Sequence, residues 1–559
     1  MKVRSLLSAF AAIAIVLLLM TAGSIYWVIQ QSPLSLFKGG IVSNPSAAIF
    51  VPRQAPVMVS LLVNPDKLEA FRQLVTPLGE RGRSHREIEQ LKRNLLANTG
   101  LNYSKDIKPW LGEEISLAVT SLDYDRNAEN GIAPGYLMAV KARNGELARE
   151  FLQLSYSQQA ISGANDLVFE QYKGVNLIYK NTLQSLANTN LIASAVVGDF
   201  VLFANSPKVL KDAINNVQAS ELNLSNSPAY QEALQTISDP RIAITYINIP
   251  ALSAWIANVN APETPDVKQM LTLALSVKAQ GLAAQTALIG VAGEDDRLPA
   301  LNSPVEALKY IPNPSILTAA GTNLNQLWTE IDRGLAKDTP LQQLINLALN
   351  GLQEPLGVNL PEDIFTWIEG EYALSLLPAS EGDGVDWVFV AENSPNAITA
   401  VEHLDELAEK QALSVGNLPL LDTTVTAWTK LSTSKTKSRL ASFDAVVKGV
   451  HTTIGKYTIF ATSVEAMAQA ISGENNSLLN SDKFRSAITS LPTENDGYFY
   501  LDWSQIEPIL TEKVPVIKVM ELSAKPLFDS LHYLTLSSQG SKNGVRRATV
   551  FFTLEKEKI

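Results

Sequence analysis

The stretch running Gly449-Val-His-Thr-Thr-Ile-Gly455-Lys456 has the glycines and lysine of a phosphate-binding loop, whose backbone N–H groups would cradle a nucleotide. That motif needs four residues between its glycines and a Ser or Thr after the lysine. Here five intervene and Tyr457 follows, so the stretch reads as a plain hairpin. In LDYDRNAENG, Asp123, Asp125, Asn127 and Glu129 have the alternate spacing of a calcium loop. Ala128 stands where that loop needs glycine and Pro134 where it needs its closing glutamate, which leaves a solvated hairpin tip. His85, His403, His451 and His532 are scattered without the i, i+4 pairing of a helical metal site, and read as surface or core residues. Ser432 and Lys435 match S-x-x-K, a nucleophile-and-base pattern. They lie in the polar run STSKTKSR with no companion motif, which reads as a flexible insertion, and no G-x-S-x-G occurs. With no cysteine the chain has no thiolate nucleophile, disulfide, cysteine metal site or lipid-modified cysteine. The expectation is no catalytic residue, no cofactor and no metal.

Charge narrows the partners. The net charge is −11, and leaving out Lys2 and Arg4 gives 43 basic against 56 acidic residues, a balance that argues against nucleic acid. Against this acidic background Arg72, Arg81, Arg83, Arg86, Lys92 and Arg93 concentrate in and around one helical segment. A solvated helix face is the plain reading; the sharper one is a docking surface for anionic lipid headgroups or an acidic membrane-protein partner.

The elements that would position any site begin with the N-terminus. Lys2 and Arg4 are followed by 33 uncharged positions, Ser5 to Phe37, and residues 6–29 are long enough to span a bilayer as a helix. A cleaved signal peptide is the rival, with Thr21, Ala22 and Gly23 near a cut; the apolar run past Tyr26 and Trp27 favours an uncleaved anchor. The positive-inside rule keeps Lys2 and Arg4 cytoplasmic and sends the body across the membrane.

A repeat organises the rest. Between Gly100–Ala118 and Gly357–Ser375, 257 residues apart, seven of 19 positions are identical, among them Asp106/Asp363, Trp110/Trp367 and Glu114/Glu371. VVGDFVLFANSPKVLKDAI matches TIGKYTIFATSVEAMAQAI at the same offset, and NPSAAIFVP at Asn44 resembles SPVEALKYIP at Ser303. The pattern divides the chain into an anchor (1–29), a stalk (30–46), copy one (47–291), a linker (292–303) and copy two (304–559). Each copy reads as α+β: a strand at Val57–Val63, capped helices with Ser84/Glu87 and Thr339/Gln342 as capping pairs, and strands at EISLAVTSL and YLMAVKA. Hairpins turn at Lys173-Gly174 and Gly198-Asp199. Strands joined by tight turns with helices between some of them predict mainly antiparallel sheets with packed helices, a tandem duplication behind one transmembrane helix. Asp106/Asp363 are expected to start a helical turn, Trp110/Trp367 to be buried and Glu114/Glu371 to open a strand, which makes the duplicated stretch scaffold rather than a site.

The stretches QSPLSLFKGGIVSNPSAAIFVPRQAPVMVSLLVNPDKLEAF, DIKPWLGEEISLAV and GDFVLFANSPKVLKDAI resemble a cyanobacterial family of membrane-anchored proteins of unknown function, DUF3352. The resemblance implies an envelope or thylakoid protein and supplies no catalytic residues. The reading is a non-enzymatic binding or assembly protein, its body in the periplasm or thylakoid lumen. The alternatives are a lipid or apolar-ligand carrier and, third, an enzyme whose groups converge only in the fold.

Overall fold

The computed structural model describes residues 40, 42–64, 66, 102–127, 133–161, 167–180, 192–237, 239–257, 269–278, 281–290, 301–334, 358–379, 384–435, 441–507 and 531–554. The apolar N-terminal segment, residues 292–300 of the linker, both capping pairs, His85, Glu129 and all six residues of the basic cluster lie outside them. No helix among the described residues is long and apolar enough to cross a membrane.

Copy one contributes β1 (Val57–Leu61), β2 (Leu111–Ser121), β3 (Gly135–Ala142), β4 (Leu167–Tyr172), β5 (Val175–Lys180), β6 (Ala193–Val197), β7 (Phe200–Ala204), β8 (Ala243–Asn248), β9 (Met270–Lys278) and β10 (Gly281–Ile289). Copy two contributes β11 (Leu317–Thr322), β12 (Glu371–Pro378), β13 (Val385–Glu392), β14 (Ser414–Leu420), β15 (Thr423–Lys435), β16 (Ala441–Ile454), β17 (Tyr457–Ala461), β18 (Gly497–Asp502), β19 (Leu531–Lys542) and β20 (Val545–Leu554). Every pairing among the described strands is antiparallel. The first ten strands pair in the order β4-β5-β6-β7-β3-β2-β1-β8-β9-β10. The sheet continues as β20-β19-β18-β11-β12-β13-β17-β16-β15-β14, which is the same order met in reverse.

The join is the β10–β20 ladder, running from Gly281 opposite Thr553 to Ile289 opposite Val545. In a lone repeat β10 would be a bare edge, a template for unwanted pairing; the second copy covers it. Ala283 and Phe551 face each other there, buried with Leu491 and Tyr498, and Val545 reaches into the core of copy one beside Ala287. Close approach is built in: a Cβ on Gly281 would lie 1.9 Å from the Phe552 carbonyl oxygen.

Period-two alternation splits each half into two cores. Leu137 and Ala139 of β3 and Leu202 and Ala204 of β7 face a core completed by helices α2 (Pro207–Gln218) and α3 (Pro228–Thr236). Met138, Val140, Val201 and Phe203 point the other way, onto Trp110 and helix α1 (Gly145–Ile161). Copy two repeats the division, with helix α6 (Ala397–Lys410) over Trp367, Phe389 and Phe460. The intervening helices α4 (Ile249–Ala257) and α5 (Leu324–Gly334) follow β8 and β11.

The hairpin turns are where their residue types place them. Lys173 and Gly174 both have positive φ, 47° and 82°, as a two-residue turn matching strand twist demands. Two local expectations change. Asp106 does not start its helical turn; Asn102 caps it, accepting from Lys105 N–H, while Asp106 reaches back to the Asn102 N–H at 2.6 Å. Ser432 and Lys435 sit in β15, opposite Asp444 and Ala441 of β16, so the first half of the polar run, residues 432–435, belongs to a long ribbon rather than a loose insertion; residues 436–439 lie outside the described residues.

Deep burial of tyrosine gives the fold a pH limit. Burial first, then a neighbouring carboxylate for Tyr230, Tyr457 and Tyr500 and the neighbouring Tyr230 for Tyr246, push these four phenols well above the ordinary value of 10.0. A raised folded pKa leaves its stabilisation intact below the unfolded value and removes it as pH climbs above. Titrating phenolate absorbance beside circular dichroism is expected to show four of the 15 tyrosines ionising only as structure is lost, from about pH 10 upward. Full ionisation of all of them with the dichroism unchanged would contradict this.

Candidate functional site

The duplicated carboxylates are committed to the frame. In copy one the chain opens with a 3-10 turn, Ser46–Phe50, whose first N–H groups have no partner within the turn. Glu114, 4 % exposed on β2, supplies both acceptors: its Oε2 takes the Ser46 N–H at 2.9 Å and its Oε1 the Ala47 N–H at 2.8 Å. In copy two Glu371 accepts from the Ala307 N–H at 3.1 Å and from the Tyr457 hydroxyl at 2.5 Å. Copy one has Phe200 in the place of Tyr457, and both rings meet the turn's aromatic edge-on: Phe50 with Phe200 at 5.1 Å, Tyr310 with Tyr457 at 5.5 Å. Asp363 repeats the Asp106 contact, at 2.6 Å to the Asn359 N–H. Trp110 and Trp367 donate their ring N–H to the Asp106 and Asp363 carbonyls at 2.6 and 3.0 Å.

The remaining sequence candidates stay apart. His451 is 7 % exposed, its Nε2 3.0 Å from Asp405 Oδ1, which also accepts from the Trp428 ring at 2.6 Å. His403 lies 3.4 Å from Asp363, and His532 packs beside Tyr533. Gly449 is a packing glycine, since a Cβ there would meet Trp428 at 2.6 Å, and Gly455 turns the β16–β17 hairpin with φ 59°. Asp123 and Asp125 share the β2–β3 tip; burial and then Asp125 raise the Asp123 pKa. Among the described residues no group of three His, Asp or Glu is placed to hold a metal.

What sequence reasoning missed is a cleft of about 490 Å³ where the chain enters the body. Pro228 starts helix α3 at its first turn, and the helix buries Tyr230 edge-on against Tyr246, 5.6 Å between centroids. The chain then turns through Asp239 and Pro240 to Arg241 just before β8. Val42, Asn44, Pro45, Tyr230, Leu234 and Arg241 line the cleft, with Gln231 and Gln235 at its exposed side. Arg241 is 3 % exposed. Its Nε donates to the Ser43 carbonyl at 3.2 Å, one terminal nitrogen to the Ile237 carbonyl at 2.8 Å and the other to Asn44 Oδ1 at 3.0 Å. All three acceptors are neutral, and burial pulls the guanidinium below its ordinary pKa, against a smaller opposing effect of Tyr230. The sequence signal was asymmetry: at the offset of 254 that aligns β8 with β18, Arg241 falls on Asn495, which bonds back to its own loop and to Tyr498.

Fold and site together define a two-repeat α+β protein built on one antiparallel sheet, with a cleft lined by a buried arginine in the first repeat. The chain belongs to the DUF3352 family, described as proteins of unknown function, whose model matches residues 10–554. A comparison with curated proteins finds no match. Among solved structures, crystal form I of TP0453 aligns at a TM-score of 0.24 and 12% identity over 46% of this chain and 82% of that one, a likeness too distant to carry an argument.

Proposed function

We propose that the protein is a non-catalytic binding or assembly platform, held at a membrane by residues 6–29 with its body on the extracytoplasmic side. The supporting observation is the β10–β20 join, which turns two repeats into one sheet. Nineteen strand spacings amount to a contour of roughly 90 Å, long enough to present separate surfaces to separate partners. The two free ends are unlike. Strand β4 pairs only with β5 among the described residues and carries Phe169, 68 % exposed; β14 pairs only with β15 and carries Gly416 and Pro419. An edge with proline resists strand addition, whereas an edge with an exposed aromatic offers an anchor to a partner.

Purification from native membranes in mild detergent tests this, with protein and lipid mass spectrometry on what survives washing. A stoichiometric protein partner is the expected result, released by Phe169→Lys. A lipid or other apolar ligand in place of a protein would move the reading to a carrier, and a preparation with neither would overturn both.

A further inference from the structure

We propose that the Arg241 cleft is a binding site for an oxyanion, a phosphate or carboxylate group, carried on a small apolar body. A guanidinium has five N–H donors in a planar fork suited to such groups. Three of Arg241's are used on Ser43, Ile237 and Asn44, and the other two have no acceptor among the described residues. Arg241 also forms no ion pair among them; Glu114, which like Arg241 acts on the Tyr230 phenol, is occupied by the Ser46 and Ala47 N–H groups and the Ser116 hydroxyl. A cation buried to 3 % exposure without an anion is costly, and Arg241 is one of the residues that line the cleft. The buried Tyr230 side chain also lines this space, and no acceptor for its hydroxyl is found among the described residues.

The rest of the lining sets the ligand's other end. Val42, Pro45, Leu234 and Ile237 are apolar, and a cleft of about 490 Å³ falls within the range of small-molecule sites, too large for a bare anion alone. Copy two has Asn495 in the place of Arg241, so one ligand per chain is expected. Because Arg241 holds Ser43 and Asn44, the residues leading in from the N-terminal segment, ligand and chain entrance share one side chain. This inference is independent of the platform reading, since it concerns the first repeat alone.

The test is calorimetric binding of octyl phosphate to the full chain in a non-ionic detergent, with inorganic phosphate and octanol as the two half-ligands. One site is expected, weakened about tenfold or more by Arg241→Gln. Since Arg241→Gln also loosens residues 43–44, Gln235→Glu serves as the second variant: Gln235 is exposed at the rim, and a carboxylate there supplies an internal anion. Comparable weakening by Gln235→Glu, with an unchanged melting temperature, supports the site. Octanol binding as strongly as octyl phosphate, or Gln235→Glu binding at wild-type strength, overturns it. Inorganic phosphate binding as tightly as octyl phosphate would overturn the apolar half of the proposal. Binding that requires the octyl chain, together with flotation on phosphatidylcholine vesicles only when phosphatidylglycerol is added, assigns a lipid headgroup.

Discussion

Truncating Trp110 to alanine is expected to lower the unfolding free energy by about 3–5 kcal/mol, the range for removing a large buried aromatic. Trp110 is 1 % exposed, stacks at a tilt on Phe151 with centroids 5.9 Å apart, and fills the space between Tyr103, Ile107, Met138 and Phe203. The indole also closes the turn through its bond to the Asp106 carbonyl, so Trp110→Phe should cost about 1–2 kcal/mol, keeping most of the volume and losing that bond. Trp367→Ala should behave alike in copy two, where Trp367 is 3 % exposed against Phe389, Leu404 and Phe460. Urea unfolding followed by tryptophan fluorescence and circular dichroism measures all three. Because the β10–β20 ladder joins the cores, each variant should move one shared transition. If Trp110→Ala shifted only half of the amplitude, the join would not couple the repeats.

Much of this frame was legible in the sequence because it was written twice. A tryptophan, a carboxylate and a hairpin glycine recurring at one offset can be weighed against each other, and local turn chemistry at Lys173-Gly174 needs only neighbouring residues. The β10–β20 ladder was not legible. Its partners are separated by more than two hundred residues, and nothing in the local pattern of either strand says which edge it will meet. Glu114 shows the same limit at shorter range: its recurrence as Glu371 marked it as structural, yet its targets lie 67 and 68 residues earlier, in the opening turn. Asp106 was misplaced by one role because the asparagine four residues before it is an equally good cap. Arg241 escaped for a different reason. It is a single cation ahead of a strand, marked in the sequence only by the change to Asn495 at the repeat offset, and its burial and neutral partners appear only in the fold.

The carboxylates provide the second large effect, and an asymmetric one. Glu114→Gln should destabilise the protein by about 2–4 kcal/mol, because both oxygens of Glu114 are in use. An amide in that place keeps one acceptor and turns its NH2 toward a backbone N–H, donor against donor, at a site 4 % exposed. Glu371→Gln should cost only about 1 kcal/mol, since the Ala307 N–H and the Tyr457 hydroxyl both fall on Oε2. A glutamine oxygen can serve both there, leaving its NH2 at a position that is half-buried rather than sealed. Tyr457→Phe, which copies the Phe200 arrangement, removes only the short hydroxyl bond and should cost no more than Glu371→Gln. Urea midpoints for the three variants decide the matter. Equal losses for Glu114→Gln and Glu371→Gln would mean that the two repeats hold their opening turns by the same bonds, and that the different oxygen usage seen here does not carry the energy.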